Sequence, residues 1–474
     1  MIPSTQNRRR QACALALGLT ALVLMPKLHA DDSPSYWKFA DQPPMGWNSW
    51  DCFGTTITEE QTKAQADYMA KNLKAHGWEY VVVDIQWYED GTKGPRDIQN
   101  YLANAYLTPQ EVRKYHGTAH YNLDEFGRFV PSPTRFPTAA NGAGFKALAD
   151  YVHGLGLKFG VHIVRGIPRE AVEKNMSIKG TQLHAADVAD KQNLCPWNPD
   201  MYGVDMTKPG AQEYYNSEYQ LFADWGVDLV KVDDASARKY QQPEIEGIRK
   251  AIDKTGRPMV LSLSPGATPL TAGSNVEMNA NIWRVSDDFW DRWLSLYEQF
   301  KRLADWTPYR GPGHFPDGDM LPLGMVKLNQ PTKFTRDEQY TLMTLWSIAR
   351  SPLIHGGDLT KTDDFTLSLL TNDEVLAVDQ KSANNHELFN HDKLVAWVAD
   401  VPGSADKYLA VFNAQDAPAG AQAVRVTLAD AGFTGAVRVR DLWLNKDLVE
   451  VKGEFAPIIN PHGAGLYRIS AVKP

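Results

Sequence analysis

The stretch LVKVDDASAR, residues 229–238, sets Lys231, Asp233 and Asp234 among Leu229, Val230 and Val232. Residues two apart in a strand share a face. Lys231 and Asp233 therefore point together, while Asp234 alternates with them. A short apolar run that ends in charge suits a barrel strand whose C-terminal end opens at a polar mouth. That reading predicts more such runs, each separated by a helix.

They are present. PPMGWNSWD (43–51), YVVVDIQW (80–87), LKFGVHIV (157–164), MVLSLS (259–264), NIWRVSDD (281–288) and SPLIHGGD (351–358) repeat the pattern, and the looser YRGPGHFPDGDM (309–320) supplies another. With LVKVDD (229–234) they make eight. Between them lie helical patterns such as TEEQTKAQADYMAKNLKAHG (58–77), GFKALADYVHGLG (144–156), PGAQEYYNSEYQLFADWG (209–226) and DEQYTLMTLWSIAR (337–350). The first starts at Thr58 with acids behind it and stops at Gly77, an N-cap and C-cap pair. Eight strand–helix units predict a (β/α)8 TIM barrel, with a doubly wound open sheet as the alternative. No glycine-rich phosphate loop follows the first run, which disfavours the alternative.

The barrel is expected over residues 31–383, with an insertion near 88–137. Long β-to-α connections of that kind sit at the mouth of a barrel. From about residue 384 the pattern changes. KLVAWVAD, KYLAVFNA, AVRVTLAD, AVRVRDLW and AGLYRISA alternate without helices, predicting an antiparallel, sandwich-like β-domain over 384–474.

Arg8, Arg9 and Arg10, the apolar ACALALGLTALVLM and the short KLHA ending at Ala30 read as a signal peptide over residues 1–30. Export to periplasm or medium is expected, with no membrane attachment after cleavage. The whole chain carries −8, and loss of that basic segment leaves the remainder roughly −12. Such a balance disfavours nucleic acid and anionic lipid as partners. Cys52 and Cys195 are candidates for one disulfide. No Cys/His spacing resembles a zinc site, and no metal or cofactor is expected.

Three runs end in Asp84, Asp233 and Asp288, with Lys231 and Arg284 beside two of them. Even alternation puts Asp84 with Gln86, and Arg284 with Ser286 and Asp288. Ionised carboxylates are costly to bury unpaired. One such Asp is ordinarily an ion pair or helix cap; three at equivalent strand ends point to chemistry. Two carboxylates with opposed roles are what glycosidic bond cleavage requires. A flanking Lys would keep a nucleophile ionised. A sugar-binding barrel without catalysis, and a Schiff-base enzyme using Lys231, remain as alternatives.

The series PPMGWNSWD, GWEYVVVD, DEFGRFVPSPTRFP, ADYVHGLGLKFGVH, FADWGVDLVKVD, the WR-three-residues-D pattern at 283–288, GPGHFPDGDMLPLG and LMTLWSIARSPL resembles glycoside hydrolase family 27. These are the melibiase-type α-galactosidases and α-N-acetylgalactosaminidases. The resemblance implies a barrel followed by an antiparallel β-domain, and a retaining two-aspartate mechanism without metal. By it Asp233 is the nucleophile and Asp288 the acid/base. Lys231 and Arg284 match sugar-binding basic residues, Trp50 an aromatic wall, and Asp84 the first of two adjacent acids that hold sugar hydroxyls. Asp319 lies in a family motif near the site.

Four positions depart from the family pattern. Ile85 replaces the second acid, His162 stands where Tyr is common, Ala235 replaces a cysteine, and Ser264 replaces a Glu found in galactose-selective members. The expected activity is exo-acting, retaining hydrolysis of terminal α-galactosyl groups from an oligosaccharide or polysaccharide. The alternatives are an α-N-acetylgalactosaminidase, a β-L-arabinopyranosidase or an isomalto-dextranase.

Overall fold

The computed structural model describes residues 33–90, 121–195, 198, 200–236, 239–264 and 266–472. The expected signal peptide and most of the expected insertion lie outside the described residues. Residues Tyr36–Pro474 form one compact unit.

Every expected run carries a strand. These are β1 Met45–Asn48, β2 Tyr80–Val83, β3 Lys158–Val164, β4 Leu229–Asp233, β5 Val260–Leu263, β6 Ile282–Arg284, β7 Phe315–Asp317 and β8 Leu353–His355. All pair in parallel, in the order β7-β6-β5-β4-β3-β2-β1-β8. The two ends of that order meet through Leu321, four residues past β7. Its N–H donates to the Ile354 carbonyl at 2.7 Å, and its carbonyl accepts from Gly356 at 3.0 Å. The seam of the barrel is thus closed by a loop.

The helices that follow the strands are α1 Glu59–Asn72, α2 Lys146–Gly154, α3 Ala211–Trp225, α4 Gln242–Thr255, the short α5 Gly273–Glu277, α6 Trp293–Trp306, α7 Arg336–Ala349 and α8 Asp373–Lys381. Thr58 caps α1, and its hydroxyl accepts from the Gln61 N–H. Such a cap is worth about 1 kcal/mol. Gly226 ends α3 in the left-handed region, where a residue without Cβ fits at no steric cost.

Strand alternation sorts two apolar populations. Val81, Val83, Phe159, Val161, Val230, Val232, Leu261, Leu263 and Trp283 join the large core shared with the helices. Tyr80, Val82, Leu229, Val260, Ile282 and Phe315 form a separate cluster with Ala40. The second set has the opposite parity and fills the inside of the barrel, as layered side chains do in this fold. Followed toward the strand ends, the same inner face turns polar: Asp84, His162, Lys231, Asp233, Ser264 and Arg284.

The C-terminal sheet contains β9 Ala383–His391, β10 Leu394–Asp400, β11 Lys407–Asn413, β12 Val437–Asp441 and β13 Gly463–Ala471, ordered β9-β10-β11-β13-β12 with a short strand, Lys446–Asp447, beyond β12. All its pairings are antiparallel. One face, with Ala410, Phe412 and Leu466, packs into the core of the barrel. The other, with Leu409, Val411, Val439 and Ile469, covers Ile459, Val426 and Phe455 of two small ladders. Both faces of the sheet are therefore buried, as in a sandwich. Cys52 and Cys195 are buried and are not joined to each other.

Candidate active site

The polar inner faces converge at the C-terminal mouth of the barrel. Asp84 follows β2 and is buried. Its backbone N–H donates to Ser49 Oγ at 2.9 Å, and its Oδ1 accepts the N–H of Ile85 at 2.9 Å. Asn48 Nδ2, at the end of β1, donates to Asp84 Oδ2 at 2.9 Å. Asn48 Oδ1 accepts from the N–H of Trp50, which opens the short helix Trp50–Phe53 after β1. Lys231 Nζ, from β4, lies 3.5 Å from Asp84 Oδ2.

Burial alone would favour a neutral Asp84, but His162, Lys231 and the Ile85 N–H outweigh it and hold its carboxyl below the usual range. Burial likewise opposes the Lys231 charge. Asp84, Asp233 and Asp319 outweigh it and keep the ammonium firmly protonated.

Asp233 ends β4 and is 4% exposed. Its two oxygens have different neighbours. Ser264 Oγ, just past β5, donates to Oδ1 at 2.7 Å. His162 Nε2, from β3, lies 3.2 Å from Oδ2, and His162 Nδ1 lies 2.7 Å from Asp84 Oδ2. His162 and Lys231 occupy matched positions in the β3–β4 ladder, which explains why both reach Asp84.

Arg284 ends β6 and is buried. One guanidinium nitrogen lies 2.8 Å from Asp319 Oδ2 and 3.3 Å from Asp288 Oδ1. Asp319 Oδ2 also accepts the N–H of Phe289 at 2.7 Å, beside Asp288 in the chain. Its φ of 90° is unusual for a residue with a Cβ. The Trp346 indole bond to its carbonyl and its N–H bond to Asp317 fix that conformation. Burial, with the charge of Asp288 nearby, pushes the Asp319 carboxyl up, against Arg284. Asp288 is different: its side chain is 51% exposed.

Three details differ from even strand alternation. β2 ends at Val83 and Gln86 has a φ of 64°, so Gln86 does not continue the Asp84 face; Arg135 holds its carbonyl instead. β6 ends at Arg284, so Ser286 and Asp288 lie on the following loop, and Asp288 returns to Arg284 by the turn of the chain. The direct ion partner of Lys231 is Asp84, whereas Asp233 has His162 at its side.

Other residues belong to this site and carry weaker sequence signals. Asn48 is polar at a strand end and could have been singled out on that ground. Arg165 follows β3. Its guanidinium lies 2.7 Å from Asp234 Oδ2 and 2.7 Å from Glu244 Oε1, and its Nε donates to the Asp234 carbonyl at 2.7 Å. The Arg165 N–H donates to the carbonyl of Asp233 at 2.9 Å. Asp234, turned away from the mouth with a φ of 58°, is thereby clamped directly behind Asp233. Asp51 is buried, and burial together with Asp319 raises its carboxyl well above the usual range.

Among the described residues no group of three or more His, Cys, Asp or Glu side chains is placed to hold a metal ion, and no helix is long and apolar enough to cross a membrane.

Residues 200–381 match the family model described as alpha galactosidase A, and residues 391–469 match the alpha galactosidase C-terminal beta sandwich domain. A GH27 β-L-arabinopyranosidase from Geobacillus stearothermophilus, solved with arabinose, is 46% identical; the match covers 93% of this chain and 100% of that one, with a TM-score of 0.87. An α-galactosidase from Cyamopsis tetragonoloba is 28% identical over 438 residues, covering 90% of this chain and 85% of the relative. The human α-galactosidase A is 27% identical over 435 residues, covering 85% and 81%. With barrel, β-sandwich and strand-end carboxylates all in place, the chain belongs to glycoside hydrolase family 27, the melibiase-type glycosidases.

Proposed function

We propose that this glycoside hydrolase is a retaining, exo-acting enzyme that removes terminal α-D-galactosyl groups by double displacement. The observation that carries the reading is the unequal setting of two carboxylates at one barrel mouth. Asp233 is buried, with one oxygen bonded by Ser264, and Asp288 is half exposed on the loop beside Arg284. In the first step an Asp233 oxygen attacks the anomeric carbon. The bond to the departing oxygen breaks as that oxygen takes the Asp288 proton. In the second, Asp288 takes a proton from water, the water oxygen attacks the same carbon, and the bond to Asp233 breaks. Two inversions return the original configuration. Asp84, Lys231, Arg284 and Trp50 line the mouth as sugar-holding groups, with Asp319 supporting Arg284.

A second sugar has its own support. β-L-Arabinopyranose has the ring configuration of α-D-galactopyranose without the hydroxymethyl group. Ile85, buried directly after Asp84, has no hydrogen-bonding side chain where the family pattern supplies a second acid. The relative at 46% identity is a β-L-arabinopyranosidase.

A panel of nitrophenyl α-D-galactopyranoside, β-L-arabinopyranoside and α-N-acetylgalactosaminide, with dextran added, separates the readings. Steady release from the galactoside supports the first. Release from the arabinopyranoside alone would replace it with the second, and isomaltose from dextran would sink both. Proton NMR of the first-formed sugar should show the substrate's anomeric configuration; the inverted form would reject double displacement. Export is proposed as well, on the basic-then-apolar order of residues 8–24. A mature protein beginning at Asp31 in the periplasm or medium is the expected result.

A further inference from the structure

We propose that His162 serves as a doubly protonated imidazolium bridging Asp84 and Asp233, a positioning residue whose deprotonation sets the alkaline limit of glycoside hydrolysis. The inference rests on the reading of Asp233 as nucleophile and deepens it.

The geometry is specific. Nδ1 lies 2.7 Å from Asp84 Oδ2 and Nε2 lies 3.2 Å from Asp233 Oδ2. His162 is 2% exposed, and the Trp87 indole N–H donates to its backbone carbonyl at 2.8 Å. A neutral imidazole carries one N–H and one lone pair. With a carboxylate facing each nitrogen, either tautomer would turn its lone pair on one of them. Only the imidazolium meets both attractively.

The titratable groups facing the ring are Asp84 from β2, and Lys231 and Asp233 from β4. Burial opposes the charged ring and Lys231 opposes it too, but the two carboxylates outweigh both, so the imidazolium persists above the ordinary histidine range. The pairing also holds Asp233: Ser264 hydrogen-bonds Oδ1, and His162 Nε2 lies against Oδ2 at ion-pair distance, without hydrogen-bond geometry at either ring nitrogen. Proton loss removes one of these and leaves a lone pair against a buried carboxylate. The family pattern has Tyr at this position. A phenol keeps its proton to about pH 10, so a tyrosine enzyme would lack this limit.

The test is the pH dependence of kcat/KM for wild type, His162→Tyr and His162→Gln, using whichever nitrophenyl glycoside is turned over. Neutron diffraction from wild-type crystals at the pH of maximal activity then locates the ring deuterons. The expected wild-type profile falls on the alkaline side. In both variants that fall moves upward by at least about one pH unit or disappears, and the wild-type ring carries deuterium on both nitrogens. An alkaline limb unmoved in the variants, or a ring with a single deuteron, would overturn the proposal. The neutron result stands even if neither variant folds. Normal turnover by Asp233→Asn would instead reject the nucleophile assignment while leaving the bridge intact.

Discussion

Ser264 donates its hydroxyl to Asp233 Oδ1 at 2.7 Å, from a fully buried position one strand away. The resemblance sets Ser264 against a Glu of galactose-selective members; in the structure its hydroxyl is bonded to a carboxylate. A bond to a charged group contributes about 1.5 to 3 kcal/mol. Ser264→Ala should therefore lower kcat/KM by roughly ten- to a hundredfold, with Ser264→Thr recovering part of it. Unchanged kinetics in the alanine variant would show that the bond does not prepare Asp233 for attack.

Asp288 is exposed enough to exchange protons with water, and Arg284 is its ion partner. Its removal should hurt most where the leaving group needs a proton. Asp288→Ala is expected to lose about 10²- to 10⁴-fold on an alkyl glycoside and far less on a dinitrophenyl glycoside. Azide should restore part of the rate and give a glycosyl azide of retained configuration. Equal losses on both substrates would remove Asp288 as acid/base.

Ile85→Asp adds the missing acid beside Asp84. Hydrogen bonding of this kind differentiates ligands by about 1 to 3 kcal/mol. The ratio of galactoside to arabinopyranoside turnover should rise by roughly five- to a hundredfold. A constant ratio would place sugar selection elsewhere.

Arg165→Met leaves Asp234 and Glu244 buried without their cation. Breaking a buried pair in this way costs about 3 to 5 kcal/mol, which urea unfolding will measure. The pH dependence has a definite sign. Burial already raises the Asp234 carboxyl to about 6, and raises Glu244 as well, with Arg165 opposing both. Without Arg165 both folded-state values rise further above their unfolded ones. The variant is then favoured at low pH and loses stability, relative to wild type, as pH climbs through those values. A deficit that is flat from pH 5 to 8 would contradict this.

The architecture was legible because the barrel writes a period-two pattern eight times, and each copy ends where apolar side chains give way to polar ones. LVKVDD showed Lys231 and Asp233 on one face, and the inner wall of the barrel agrees. What the pattern did not reveal depends on where strands stop and which distant residues meet. Gln86 was expected beside Asp84, but Val83 is the last strand residue, and a left-handed turn redirects the chain. The Arg165 clamp joins residues 69 apart in sequence, and no local spacing encodes that. His162 was visible as a departure from the family pattern. Its place between two carboxylates needed the β2, β3 and β4 ladders in register.

Helix α7 has one more consequence. Nearly all of its length from Glu338 to Ala349 is shielded from water. Trp346 and Leu342 serve the barrel core, while Thr341 donates to the His462 carbonyl and Thr344 accepts the Trp443 indole N–H of the C-terminal sheet. A single helix thus acts as a party wall. Removing the β-sandwich would strip one side of it and strand the last helix-forming segments of the barrel without cover. The C-terminal sheet is therefore no detachable appendage: in genetic terms, recombination that separated it from the barrel would have to redesign α7 at the same stroke.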